Sequence, residues 1–174
     1  MTNDFPTESA LYPDSSQYQY SDSFAIPLQR TDIESWELIA AFFQSAPSWV
    51  DSLFVFRNRI VEHLGLKTGH YNSRDLDAPY QVGRRIGLFR VIGLTDREAI
   101  IGEDDTHLDF RTSLLLIPTN TGSQLVVSTL VKTKNTLGIA YFSVVKHFHR
   151  LFVPIMVKAM AKKIEERSLP QHRS

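Results

Sequence analysis

Residues 102–117, GEDDTHLDFRTSLLLI, are the most strand-like and the most chemically loaded stretch of the chain. Side chains alternate between the two faces of a β-strand. One face of this strand would carry the polar side chains Asp105, His107, Asp109, Arg111 and Ser113. The other face would carry the mainly apolar set Leu108, Phe110, Thr112, Leu114 and Leu116. The pattern predicts an antiparallel strand with one side on a core, and it leaves open whether the polar side meets solvent or a pocket.

The composition fits a single globular domain with a sizeable core. The chain has 174 residues, of which 43% are hydrophobic and 11% aromatic. The 19 basic side chains balance the 19 acidic ones, so we expect neither a nucleic-acid partner nor an anionic membrane partner. The absence of cysteine excludes disulfides and thiolate chemistry. Because no segment has the pattern of a signal peptide or of a membrane span, we expect a cytoplasmic protein.

Changes in pattern along the chain predict its organisation. Residues 1–18 are polar and predict a flexible N-terminal arm. Residues 19–168 would form one domain, followed by a frayed tail at 169–174. Within the domain, alternation over residues 18–28 predicts a first strand.

Two helices should follow the first strand. Thr31 and Glu34 have the spacing of a capping box. The helix after them would have one apolar side, made of Trp36, Ile39, Ala40 and Phe43. A second amphipathic helix is predicted over residues 47–64, and a loop over 66–80.

The second half of the chain reads as strands and one long helix. Residues 83–94 predict one strand or two short ones, with glycines at bulges, and residues 95–97 a turn. Residues 124–134 predict a further strand. A final helix over 141–167, with a kink at Pro154, would have one apolar side. That side is Phe148, Leu151, Phe152, Ile155, Met156, Ala159 and Met160.

This order of elements predicts the α+β class, because the strands are joined without long crossovers. We interpret it as a helix-grip fold of the START-like type. In this fold a curved antiparallel sheet wraps around a long C-terminal helix and leaves a cavity between them.

Five segments carry a resemblance to a known family: PSWVDSLFVFRNRIVEHLGLK at 47–67, GRRIGLF at 83–89, GEDDTHLDFRTS at 102–113, STLVKTKNTLGIAYF at 128–142 and FHRLFVP at 148–154. Together they resemble a bacterial domain-of-unknown-function family, DUF2867. The resemblance covers roughly residues 20–160, and the family is similar to START-like (SRPBCC-type) domains in its arrangement. It implies the helix-grip fold, but it implies no catalytic residue. It also implies no cofactor, since the chain has no GxGxxG motif.

The polar side of the 102–117 strand admits three kinds of chemistry. Asp105, His107 and Asp109 could converge on a metal ion, but Arg111 lies next on the same face and would repel a cation. We therefore expect no metal and no cofactor, and an ion pair between Asp109 and Arg111. A histidine among carboxylates also suits acid–base catalysis, although Ser113 has no base at the spacing of a known nucleophile.

The function favoured by the sequence is binding of a small apolar or amphipathic ligand between the sheet and the C-terminal helix. The predicted ligand-binding residues are Asp105, His107, Asp109, Arg111, Ser113, Phe148, Phe152 and Met156. One alternative is an enzyme that uses His107, Asp109 and Arg111. Another is an interaction domain with residues 147–150 in its interface, and a homodimer is left open. His147 and His149 are expected on the surface.

Overall fold

The computed structural model describes residues 5–45, 80–87 and 89–167. Within these ranges, a 3-10 helix at Tyr12–Gln17 precedes six strands and two α-helices. In chain order these are β1 (Tyr20–Leu28), α1 (Ser35–Gln44), β2 (Arg85–Ile86), β3 (Phe89–Leu94), β4 (Glu98–Asp104), β5 (Leu108–Thr119), β6 (Gly122–Thr133) and α2 (Thr136–Glu166). The helix predicted at 47–64 and nearly all of the loop predicted at 66–80 lie outside the described residues.

The six strands form one antiparallel sheet in the order β1-β6-β5-β4-β3-β2. β2 to β6 follow one another as hairpins, and β1 pairs with β6 along its whole length. The long helix α2 lies on one face of this curved sheet and contacts β1, β6 and α1. The predicted α+β helix-grip fold is therefore confirmed.

The core lies between one face of the sheet and the two helices. Its largest fully buried side chains come from α1, from the inner strands and from the last third of α2, and each is at most 1% exposed: Leu38, Ile39, Ile101, Leu114, Leu125, Val127, Met160 and Ile164. Burial of this apolar surface is the main source of the fold's stability.

The opposite face of the sheet, which we call the outer face, is covered by the N-terminal arm. Ser113 neighbours the core residue Leu114 in β5 and therefore points the other way. There the buried carboxylate of Glu98 accepts hydrogen bonds from Ser113 Oγ and Ser9 Oγ, each at 2.5 Å, and from the Ala10 backbone N–H at 2.9 Å. Ser9 is only 3% exposed, so this point of the arm is anchored to the sheet.

The prediction of a single strand over residues 102–117 is wrong. β4 ends at Asp104, residues 105–107 form a turn, and β5 begins at Leu108. The Asp105 N–H donates to the Leu108 carbonyl at 3.1 Å, and an Asp105 carboxylate oxygen accepts from the Thr106 N–H. Aspartate stabilises turns in this way, and that local bond outweighs the alternating pattern.

The observed N-cap of the first helix, Glu34, lies three residues after the predicted N-cap, Thr31. Its capping box uses Glu34 and Glu37 instead of Thr31 and Glu34, and the Glu34 N–H donates to the Glu37 carboxylate at 3.1 Å. Because α1 packs against both the sheet and α2, most of its side chains are buried. Its exposed residues are Trp36, which is 38% exposed, and Gln44 at its C-terminal end.

The glycines of the 83–94 segment mark irregularities, as predicted. Gly87 has a φ of 60° between the two short strands β2 and β3. The pairing of β3 with β4 shifts register between Val91 and Gly93. The last helix begins at Thr136, five residues before the predicted start, and Pro154 lies within it.

Candidate functional site

A cavity of about 320 Å³ lies between β1, β6 and the first third of α2. On the helix side the cavity is lined by Ile139, Phe142, Ser143 and Lys146. Their i, i+3, i+4, i+7 spacing places them on one side of the helix. The sheet contributes Gln19, Tyr20, Val131 and Thr133, and the register pairs Tyr20 directly with Val131.

The walls of the cavity are largely apolar. The rings of Tyr20 and Phe142 meet edge to face, with centroids 4.9 Å apart. Val131 is 4% exposed and forms part of the sheet wall beside Tyr20. The cavity can therefore take up an apolar body by replacing ordered water at its walls.

Among the described residues that line the cavity, Lys146 is the one with a charged side chain. Its side chain comes from α2 and is partly buried. Within the described residues, no carboxylate forms an ion pair with Lys146. The cavity thus combines apolar walls with one ammonium group.

A polar cluster of three side chains joins β1 to α2 beside the cavity. The Tyr20 hydroxyl donates to Asp22 Oδ2 at 2.6 Å, and His149 Nε2 lies 3.1 Å from the same oxygen. The side chains of Asp22 and His149 are only 15% and 19% exposed. Asp22 therefore accepts from both neighbours and fixes the position of Tyr20, which lines the cavity.

Tyr20 is held in its neutral form by its surroundings. Burial, and next the hydrogen bond to Asp22, raise the pKa of Tyr20 to about 12. The Arg150 guanidinium lies 5.7 Å from the centre of the Tyr20 ring. At neutral pH Tyr20 is thus a hydrogen-bond donor committed to Asp22, and a hydrogen bond from Arg150 to its phenolic oxygen partly offsets the rise in pKa.

Three of the predicted polar residues, Asp109, Arg111 and Ser113, lie on the outer face of the sheet and do not meet α2. The expected ion pair between Asp109 and Arg111 is wrong. Asp109 pairs with Lys134 and Arg111 with Asp104, each at 2.6 Å. The strand register explains these pairs, because it places Asp109 of β5 directly opposite Asp104 of β4. Arg111 therefore reaches the Asp104 carboxylate on the neighbouring strand. Partial burial raises the pKa of Asp104, but Arg111 outweighs this effect and holds it below its ordinary value.

The other two predicted polar residues, Asp105 and His107, lie in the turn between β4 and β5. The His107 ring nitrogen Nδ1 contacts the side chain of Asn135, which caps α2 by accepting from the Gly138 N–H at 3.0 Å. Gly138 is required for this approach, because a Cβ there would lie 2.1 Å from the His107 carbonyl oxygen. These contacts fix the position of the N-terminus of α2 against the turn between β4 and β5.

The predicted apolar residues of the last helix do not line the cavity. Phe148 is 48% exposed, and its ring stacks on that of Phe152 with centroids 6.1 Å apart. Phe152 and Met156 are partly buried. The structure does not bring these residues together with the predicted polar set. Across the part of the chain that is described, no three His, Asp or Glu side chains are grouped as metal ligands.

A second concavity, of about 280 Å³, lies on the outer face between the arm and the β4–β5 strands. Glu98 lines it, but both oxygens of this carboxylate already accept hydrogen bonds from Ser9, Ala10 and Ser113. A ligand would find this carboxylate already satisfied, which makes the cavity beside α2 the better candidate.

The cavity residues were missed by the sequence analysis although a signal for them exists. Residues 139, 142, 146, 149 and 153 continue at helical spacing into the buried residues Val157, Met160 and Ile164. This run contains a lysine and a histidine, so it is less apolar than the side that was chosen. The long apolar core segment at its end was the usable signal.

The sequence matches the model of a known protein family. Residues 15–156 match the model of a family described as proteins of unknown function, DUF2867. No curated protein matches the chain. None of the described helices is long and apolar enough to cross a membrane.

Several solved structures are similar to the chain. A polyketide-cyclase-like protein from Corynebacterium glutamicum is 12% identical, with a TM-score of 0.47 over 88% of this chain and 96% of that one. A conserved protein from Geobacillus kaustophilus is 11% identical, with a TM-score of 0.42 over 84% and 96%. The di-domain ARO/CYC StfQ from the steffimycin biosynthetic pathway is 11% identical, with a TM-score of 0.42 over 91% of this chain and 54% of that one.

Proposed function

The chain belongs to the DUF2867 family of proteins of unknown function, and from this premise we propose that it is a binding module for a small apolar or amphipathic ligand. The ligand would lie in the cavity between β1, β6 and the first third of α2. The observation that carries the proposal is the cavity itself, whose walls combine apolar side chains and aromatic rings with the polar side chains of Gln19, Thr133, Ser143 and Lys146.

The size of the cavity limits the ligand. Ligand sites in proteins commonly measure about 300–1,000 Å³, and this cavity of about 320 Å³ is at the small end. A short alkyl chain or a fused aromatic ring system would fill it, whereas a long lipid would extend into solvent.

The Tyr20–Asp22–His149 cluster supports the proposal because it makes one wall rigid. A preorganised wall lowers the entropy lost when a ligand binds. The same cluster ties α2 to β1, so the two sides of the cavity are held at a fixed separation.

The proposal is tested by filling the cavity from the helix side. Ser143 is exposed, lines the cavity, and donates its hydroxyl only within α2, to the Ile139 carbonyl at 2.8 Å. In the Ser143→Trp variant the indole would occupy the cavity with little disturbance of the core. Binding is measured by fluorescence titration with N-phenylnaphthylamine, a neutral apolar dye.

We expect saturable dye binding to the wild type and at least roughly tenfold weaker binding to Ser143→Trp. The matched control is Ala140→Trp, an exposed position on the same helix that does not line the cavity. Melting curves check that both variants fold. Absence of saturable binding to the wild type, or equal binding to the two variants, would refute the proposal.

A further inference from the structure

We infer that the ligand of this cavity is an anion: a small apolar body that carries a carboxylate, bound by the ammonium group of Lys146. This inference rests on the proposed binding function and specifies the ligand class. It makes Lys146 the residue that determines specificity.

Within the part of the chain that the structure describes, the charge of the cavity comes from Lys146 alone. The other lining residues are neutral: Gln19, Tyr20, Val131, Thr133, Ile139, Phe142 and Ser143. Lys146 is partly buried at this apolar wall. A charge that loses water contacts requires a partner of opposite charge, or its burial costs free energy.

The described part of the chain does not supply that partner. Asp22 is the carboxylate beside the cavity, and it is already engaged by the Tyr20 hydroxyl and by His149. From Thr136 to Ile164, α2 contains no acidic residue. Its charged side chains over that range are Lys146, Arg150, Lys158, Lys162 and Lys163.

This distribution makes the potential along α2 positive, although the whole chain has a formal net charge of zero. A ligand carboxylate at Lys146 would form a charge-assisted hydrogen bond in a partly dry setting. A neutral ligand of the same shape would leave the ammonium desolvated and unpaired. A cationic ligand would add repulsion.

The experiment compares three probes with the same alkyl body: octanoate, octanol and octylamine. Their dissociation constants for the full chain are measured by isothermal titration calorimetry at low and at high salt. The variant is Lys146→Met, which keeps the length and apolar stem of the side chain and removes its charge. The matched control is Lys158→Met, an exposed lysine of the same helix that does not line the cavity.

We expect the wild type to bind octanoate roughly ten- to a hundredfold more tightly than octanol, and octylamine most weakly. The preference for octanoate should shrink with added salt. It should vanish in Lys146→Met and persist in Lys158→Met. A Lys146→Gln variant serves the same comparison if the methionine variant does not fold.

Two failures are distinguishable. If octanol binds as tightly as octanoate, or if the preference survives in Lys146→Met, the anion inference is overturned while the cavity remains a binding site. If none of the probes binds the wild type, the proposed function fails, and the inference fails with it.

Discussion

At the scale of single residues, the cavity is shaped by how one carboxylate is shared. Asp22 accepts from Tyr20 and lies beside His149, so its charge is used within the wall. Lys146, one helical turn before His149, is left to face the cavity without such a partner in the described residues. Tyr20, Asp22 and His149 thus form a structural hydrogen-bond cluster. The Lys146 ammonium group is the one that we propose binds the ligand.

The titration of Tyr20 tests this arrangement. Tyrosine has an ordinary pKa of about 10, and burial together with the Asp22 hydrogen bond raises the pKa of Tyr20 to about 12. Because the folded-state pKa is raised, the stability contributed by Tyr20 is fully present below pH of about 10. It is lost as the pH rises through about 12. We expect tyrosinate absorbance to show a late step, and Tyr20→Phe to lower its amplitude. Burial also raises the pKa of Tyr18, so part of the late absorbance should remain in that variant.

The exposed Tyr12 serves as the control, because Tyr12→Phe should leave the late step unchanged. A wild-type titration that is complete near pH 10 would mean that Tyr20 is not held neutral by the wall. So would a late step whose amplitude is the same in Tyr20→Phe as in the wild type.

At the scale of elements, α2 has two apolar sides with different fates. One side ends in the buried residues Val157, Met160 and Ile164, which belong to the core. Another side carries Phe148, Leu151 and Ile155, which are 48%, 65% and 55% exposed. The core therefore depends on the last third of the helix.

A matched pair of truncations distinguishes the two sides. Met160→Ala should lower the free energy of unfolding by about 2–5 kcal/mol, because it removes a fully buried side chain and leaves a cavity. Phe148→Ala should cost about 1 kcal/mol or less, since it removes a half-exposed ring and one stacking contact. Urea denaturation of both variants measures the difference. A larger loss for Phe148→Ala than for Met160→Ala would reverse our assignment of the core side.

The sequence predicts the elements better than it predicts their faces. Alternation marks β1 and β6, and the glycines mark the breaks around β3, because these signals are local. The choice of side on α2 is not local: both sides are apolar, and the sheet decides which one is buried. The turn at 105–107 was missed because Asp105 and His107 also fit the polar positions of a strand.

The candidate site was harder to predict for the same reason. A period of two separates Ser113 from Leu114, but it does not reveal that the arm covers one face and helices the other. The contact of His149 with Asp22 joins positions 127 residues apart. Only the complete sheet and the path of α2 bring them together.

At the scale of the whole molecule, the N-terminal arm packs on the outer face of the sheet, and α1 and α2 pack on the opposite, inner face. Arg30 connects the two helices. Arg30 follows β1, and its Nη1 donates to Glu37 Oε2 of α1 at 3.1 Å and to the Ile164 carbonyl of α2 at 3.0 Å. Glu165 accepts from the Gln29 N–H at 2.7 Å next to it. The ends of β1, α1 and α2 are thus held at a single point.

Removing this joint should destabilise the whole fold. The side chains of Arg30 and Glu37 are only 12% and 10% exposed, so Arg30→Met leaves a buried carboxylate and a helix carbonyl without their partner. We expect a loss of about 3 kcal/mol or more in the free energy of unfolding, measured by urea denaturation. Lys162→Met is the control. Lys162 Nζ lies 3.7 Å from Glu166 Oε1, and the two side chains are 76% and 56% exposed. Loss of this exposed ion pair should lower the free energy of unfolding by less than about 1 kcal/mol. Equal, small losses for the two variants would mean that apolar packing alone holds α1 and α2 against the sheet, without help from Arg30.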